Sequence, residues 1–192
     1  MTARLDLLAH GATAATRAMR FPDDESLEPR ALAALEMLRG RLRAPDRVLV
    51  APACAARETA AALGLTAETE PAIGECDYGR WRGLSLAEIG AREPEALKAW
   101  LNDPAATPHG GESVAFLIER TGAWLSRELT RRGATLAVTH PSIIRAALVS
   151  ALGANPASFW RIDVAPLSVV RLSGRDGRWN LVSLSALGAE GP

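Results

Sequence analysis

Lysine is almost absent from this chain of 192 residues: Lys98 is the only one, and arginine carries the rest of the positive charge. Acidic and basic side chains balance at a formal net charge of zero, which removes the electrostatic footprint that nucleic acid or an anionic membrane surface requires. No stretch approaches the roughly 20 apolar residues of a membrane span. The N-terminus, with Arg4 and Asp6 close together, lacks the apolar core of a secretory signal. Cysteine is scarce too. Cys54 and Cys76, read without such a leader, point to a reducing, cytoplasmic setting with no disulfide. They show no C-x-x-C spacing, and the three histidines, His10, His109 and His140, show no H-x-x-x-H, so no metal site is expected. P-loop, G-x-G-x-x-G and G-x-S-x-G patterns are missing as well, leaving nucleotide cradling and serine hydrolysis without support.

What is present suffices for one well-cored domain over residues 1–192: 48% of the residues are hydrophobic and 23% charged, ordinary values for a globular chain. Apolar runs alternate with helical patterns, the signature of an α/β sandwich. Residues 5–8 read as a short buried strand. In 29–43, Leu32, Leu35, Leu38 and Leu42 recur at helical spacing behind Pro29. RVLVAP is the next strand, and CAARETAAALG a helix closed by Gly64. Residues 73–83, rich in glycine and aromatics without a period, form a loop, and 85–101 two short helices broken at Pro94. Ser113 caps a long helix whose inward stripe is Val114, Leu117, Ile118, Thr121 and Leu125. TLAVT is a strand, 143–152 a helix, and VVRLS with WNLVSL an edge hairpin around Asp176-Gly177. The tail from Gly188 is expected to fray. His109, in a turn rich in proline and glycine, is expected to face solvent, while Trp81, Trp100 and Trp124 read as core or lid packing, with Trp100 a candidate roof for a pocket.

Two histidines occupy equivalent places. His10 ends DLLAH and His140 ends LAVTH, each before a turn into helical sequence. Ligands of open α/β sheets gather beyond the carboxyl ends of the strands, so two imidazoles delivered there can share one pocket. One can attack an electrophile such as phosphorus while the other steadies the developing charge. Local hydrogen bonds alone are the competing explanation for both.

These stretches resemble the histidine phosphatase superfamily, also called phosphoglycerate mutase-like. LLAHGAT is similar to that family's strand followed by Arg-His-Gly-x-Thr, and APACAARETAAALGL to its second block, a strand and proline leading to a helix that ends in Thr-Ala. GECDYGRWRGLSLAEI resembles its acidic-aromatic-glycine block, PHGGES its Gly-Gly-Glu-Ser turn, and VTHPSIIRA its second histidine block. The resemblance implies a three-layer α/β/α sandwich with a mostly parallel central sheet and an edge hairpin, a short helical lid at about 84–108, and no cofactor. It implies hydrolysis of a small phosphomonoester, with His10 as the nucleophile that forms a phosphohistidine, Glu75 as proton donor to the leaving oxygen, and His140 as the second pocket histidine. Gly11, Thr13, Arg20 and Arg57 are the substrate-binding candidates. A small phosphorylated molecule is the expected partner, and a homodimer is left open. A mutase fits less well, because retaining a phosphoryl group asks for a strongly positive, closed site.

The pattern breaks at three positions. Ala9 stands where the family has arginine, Ala55 where its second block carries another, and Pro141, with no N–H, follows the second histidine. Losing one transition-state donor costs roughly 10²–10³ in rate. Arg57 lies two positions beyond Ala55, about 200° round a helix. Arg17 and Arg20 follow the first block, Arg80 and Arg82 flank Trp81, and Arg145 sits one turn into the helix after His140, where it reads as a helix-supporting charge; Arg20 is the preferred replacement. The alternatives are a catalytically impaired relative that binds a phosphorylated ligand or a protein partner, and an enzyme for a less anionic substrate.

Overall fold

The computed structural model describes residues 2–40, 42 and 44–187; the tail expected to fray, and residue 43 at the end of the second predicted helix, lie outside them. In chain order the elements are β1 (Ala3–Ala9), α1 (Ala14–Arg17), α2 (Pro29–Met37), β2 (Arg47–Val50), α3 (Cys54–Ala62), β3 (Glu68–Thr69), α4 (Leu86–Arg92), α5 (Pro94–Asn102), α6 (Val114–Leu129), β4 (Gly133–Thr139), α7 (Pro141–Ala151), β5 (Ser168–Arg175) and β6 (Arg178–Ala186). The strands make one sheet in the order β3-β2-β4-β1-β5-β6. β1 to β4 are parallel to their neighbours among themselves, while β5 runs antiparallel to β1 and β6 to β5. The α/β sandwich with an edge hairpin is the observed architecture.

Connection handedness explains the layers. From β1 to β2 and on to β3 the chain moves toward one edge, and from β3 to β4 it moves back. Right-handed crossovers therefore place α2 and α3 on one face and α6 on the other; α2 packs with α3, and α6 with α7.

β1 is central, so its residues Leu5, Leu7 and Leu8 are buried on both faces. Asp6, between them, is met by Arg171 at 3.2 Å across the β1–β5 pair. α6 starts as its sequence predicts: Ser113 Oγ accepts the Phe116 N–H at 3.1 Å, and Val114, Leu117, Thr121 and Leu125 face inward with the fully buried Trp124. Truncating Leu117 to alanine there would cost about 2–5 kcal/mol. The edge hairpin turns at Asp176 (φ 52°) and Gly177 (φ 76°), the two left-handed residues that a two-residue turn matching strand twist demands.

Two expectations are corrected. The second helix is shorter than 29–43: it ends at Met37, and Gly40 takes φ 74°. His109 does not face solvent. It is buried, its ring 5.1 Å from that of Trp81 and 6.2 Å from that of Tyr78, and its Nδ1 accepts the Gly111 N–H. The turn at 108–113 folds under the 73–83 loop, where the Glu112 N–H donates to Asp77 O and the Arg80 N–H to His109 O. Gly79 and Gly111 permit this crossing, since a Cβ on either would collide with the opposing backbone.

Candidate functional site

The register of two parallel strands builds the centre of the site. Ala9 pairs with Thr139, the last residues of β1 and β4, so the next residues, His10 and His140, leave the sheet side by side. The His10 N–H donates to Thr139 O at 2.9 Å, and the two rings meet edge to face with centroids 5.1 Å apart. Both are buried. His10 Nδ1 lies 2.8 Å from Gly11 O. A carbonyl can only accept, so Nδ1 carries the hydrogen and Nε2 keeps a free lone pair. Burial, reinforced by the neighbouring His140, lowers the His10 pKa to about 4 despite the pull of Gly11 O and Glu75 in the other direction. At neutral pH the imidazole is therefore uncharged and nucleophilic.

Glu75 reaches the same place from a loop. Its Oε2 lies 3.2 Å from His140 Nδ1, near enough for an ion pair when the imidazole is protonated, although neither ring nitrogen is aligned for a hydrogen bond. Its Oε1 accepts the Cys76 N–H at 2.8 Å and a short hydrogen bond from the Ser142 hydroxyl. Burial alone would raise the Glu75 pKa; His140, Ser142 and the Cys76 N–H outweigh it and hold the carboxyl at about 2. The loop is anchored from α6: Arg120 binds both Glu112 oxygens, at 2.6 and 3.0 Å, and donates to the carbonyls of Ala72, Gly74 and Glu75. Thr139 Oγ donates to Ile73 O at 2.7 Å. The Gly-Gly-Glu turn thus works by holding Glu75 in position. Cys76, next to it, is a free thiol pushed far above its usual range by burial and the nearby carboxylates, which makes it unreactive.

His10, Glu75 and His140 line one cavity of about 460 Å³, within the range of small-molecule sites. Thr13 lines it too, and caps α1 through its hydroxyl. So does Arg20, but its Nη1 is committed to Gly83 O at 2.8 Å and lies 3.2 Å from Glu88. Gly11 and Arg57 are not on the wall. Gly11 packs against Leu27, Ala31 and Leu35 and donates its N–H to Thr59 Oγ1 at 3.0 Å, and Arg57 is exposed on the opposite side of the regular helix α3. Ala55 lines the cavity, whereas Ala9 is fully buried and does not. Leu86 of α4 and Trp100 of α5 supply apolar wall, and the 19–25 segment supplies more than its sequence announced. Ser142 and Tyr78, which the sequence does not single out, belong to the cavity, and so does Arg145, which the sequence presents as a helix-supporting charge. Ser142 and Arg145 are i, i+3 neighbours on α7 and so share one helical face. Among the described residues no cluster of three or more acidic, histidine or cysteine side chains is disposed to hold a metal ion.

Comparison with known proteins identifies the family and agrees with the fold. Residues 5–186 match the model of the histidine phosphatase superfamily, branch 1. A glucosyl-3-phosphoglycerate phosphatase of Mycobacterium tuberculosis is 33% identical over 178 residues, covering 82% of this chain and 78% of that protein. A bifunctional protein of the same organism is 32% identical over 179 residues, covering 86% of this chain and 49% of the relative. The chain thus spans about half the length of the first curated relatives it matches. The solved structure of a mycobacterial glucosyl-3-phosphoglycerate phosphatase in complex with VO3 superposes with a TM-score of 0.82 at 27% identity, over 96% of this chain and 99% of that one.

Proposed function

This chain belongs to the histidine phosphatase superfamily, and from that premise we propose that it hydrolyses a small phosphomonoester through a phosphohistidine on His10. One observation carries the reading: a buried, neutral imidazole at a strand tip, its Nδ1–H engaged by Gly11 O and its Nε2 free beside His140 and the cavity.

In the first step the Nε2 lone pair attacks phosphorus, a P–N bond forms, and the bond from phosphorus to the leaving oxygen breaks. Protonated Glu75 donates to that oxygen and releases it as an alcohol. In the second step water attacks phosphorus, its proton passes to Glu75, the P–N bond breaks and inorganic phosphate leaves. His10 is then restored. Glu75 is ionised in the empty site, its pKa near 2. A phosphate dianion brought against it adds like-charge repulsion and raises that value, so the substrate itself prepares the acid. His140 lies against both groups, placed to balance charge as it develops. No described helix is long and apolar enough to cross a membrane, and we place the reaction in the cytoplasm.

Hydrolysis of p-nitrophenyl phosphate and a mixed phosphomonoester panel by the protein and its His10→Ala variant tests the reading. Turnover that vanishes in His10→Ala supports it; turnover on no ester by a folded protein removes it for those substrates. The apolar wall at Ala53 and Ala55, together with Pro141, favours a second reading, a catalytically impaired member that binds a phosphorylated ligand. Binding of inorganic phosphate without His10-dependent turnover would select it.

A further inference from the structure

Among the described residues, the guanidiniums nearest the cavity are engaged, with one exception. Arg20 donates to Gly83 O and contacts Glu88, and Arg82 lies 2.9 Å from Asp77. Arg145 lines the same cavity as His10 and His140, yet its Nε is buried with no hydrogen-bond partner. Its carboxylate neighbour, Asp163, stands 3.9 Å away on a fully exposed side chain. A solvent-exposed ion pair at that separation contributes little.

What fixes the guanidinium is the Phe159 ring, 5.8 Å from it. A cation–π contact holds the group's position without consuming a single N–H donor. Arginine cannot shed its charge, and its fork is matched to the paired oxygens of phosphate or carboxylate. A permanent cation with unspent donors on a mostly apolar wall is costly until an anion meets it. Arg145 is five residues past His140, the residue that caps α7, about 7.5 Å along the axis, and its side chain lines the cavity that both histidines share.

We propose that Arg145 is the oxyanion-binding residue of this cavity, gripping an anionic group of the substrate with the donors that the α3 wall lacks. The anion is either the phosphoryl group itself or a carboxylate elsewhere on the phosphomonoester. The inference rests on the phosphatase reading for the identity of the substrate, but not for the binding of an oxyanion.

The test uses the full chain and its Arg145→Gln and Arg145→Lys variants. Binding of inorganic phosphate and O-phosphoserine is measured by calorimetry, and turnover of p-nitrophenyl phosphate and O-phosphoserine by steady-state kinetics. Arg145→Gln is expected to weaken an oxyanion roughly 10- to 100-fold, mainly in dissociation constant and KM rather than kcat, with partial rescue by Arg145→Lys. Loss on every probe, phosphate included, assigns the grip to the phosphoryl oxygens; loss confined to O-phosphoserine assigns it to the carboxylate. If Arg145→Gln compromises folding, Arg145→Met keeps the aliphatic stem over Phe159 and repeats the measurement. Arg145-dependent binding without any turnover upholds this inference and removes the phosphatase reading. Unchanged binding and KM in the variants, or a natural protein that binds neither probe, overturns it.

Discussion

α3 and α7 begin at the same edge of the sheet, each shortly after a parallel strand, yet they offer the cavity opposite chemistry. The start of α3 presents the methyls of Ala53 and Ala55 and turns Arg57 outward; its polar link to the His10 loop is Thr59, whose hydroxyl donates to Ala55 O and accepts the Gly11 N–H. The start of α7 presents His140, Ser142 and Arg145. On the proposal made for Arg145 the means of meeting an anion lies on α7, and α3 is an apolar wall that also braces the His10 loop.

The contrast breaks hardest at His10, the proposed nucleophile that both helices flank. His10→Gln is expected to lower kcat/KM by at least about 10³-fold, read by steady-state hydrolysis, with far-ultraviolet circular dichroism unchanged. Acid comes next. His10 titrates near 4 in the fold against an ordinary 6.5, so the unfolded chain binds more protons between those values and stability falls as pH drops through that window. The loss is on the order of 3 kcal/mol for a group so buried. Glu75, held at about 2 against an ordinary 4.5, adds a further loss below pH 4.5 as it is protonated. Denaturant titrations at pH 7, 5.5 and 4 check the first window, and His10→Asn should flatten it.

Smaller effects sharpen the contrast between the helices. Thr59→Val leaves the Gly11 N–H buried without its partner and should cost about 1–3 kcal/mol in urea unfolding. Ala55→Arg returns a guanidinium to the α3 wall and should tighten inhibition by inorganic phosphate about 10-fold, since one charge-assisted bond is worth that much.

The parts of this site that could be read in the sequence are those set by periodicity. His10 and His140 were readable because two apolar strands end in the same residue type, and parallel register then forces the rings together. Glu75 was readable only through family resemblance, because its position depends on Arg120 and Glu112 reaching from another element. Arg145 was read as a helix-supporting charge, because the wall facing it, with Phe159 and Val164, comes from a stretch without pattern. Arg20 and Arg57 stand out in the sequence only by proximity to the matching blocks; the one is engaged by Gly83 and Glu88 and the other is turned away by the helical period. His109 misled for the same reason as Glu75: two loops that cross cannot be paired from either one alone.

A phosphohistidine on His10 is tested by mass spectrometry of protein mixed with a phosphomonoester that it hydrolyses and quenched in alkali, which preserves a P–N bond. One added phosphoryl group is expected on the peptide that contains His10, missing in His10→Gln and lost on standing in water as phosphate is released. Rapid turnover with no modification of His10, or modification at another residue, would contradict it.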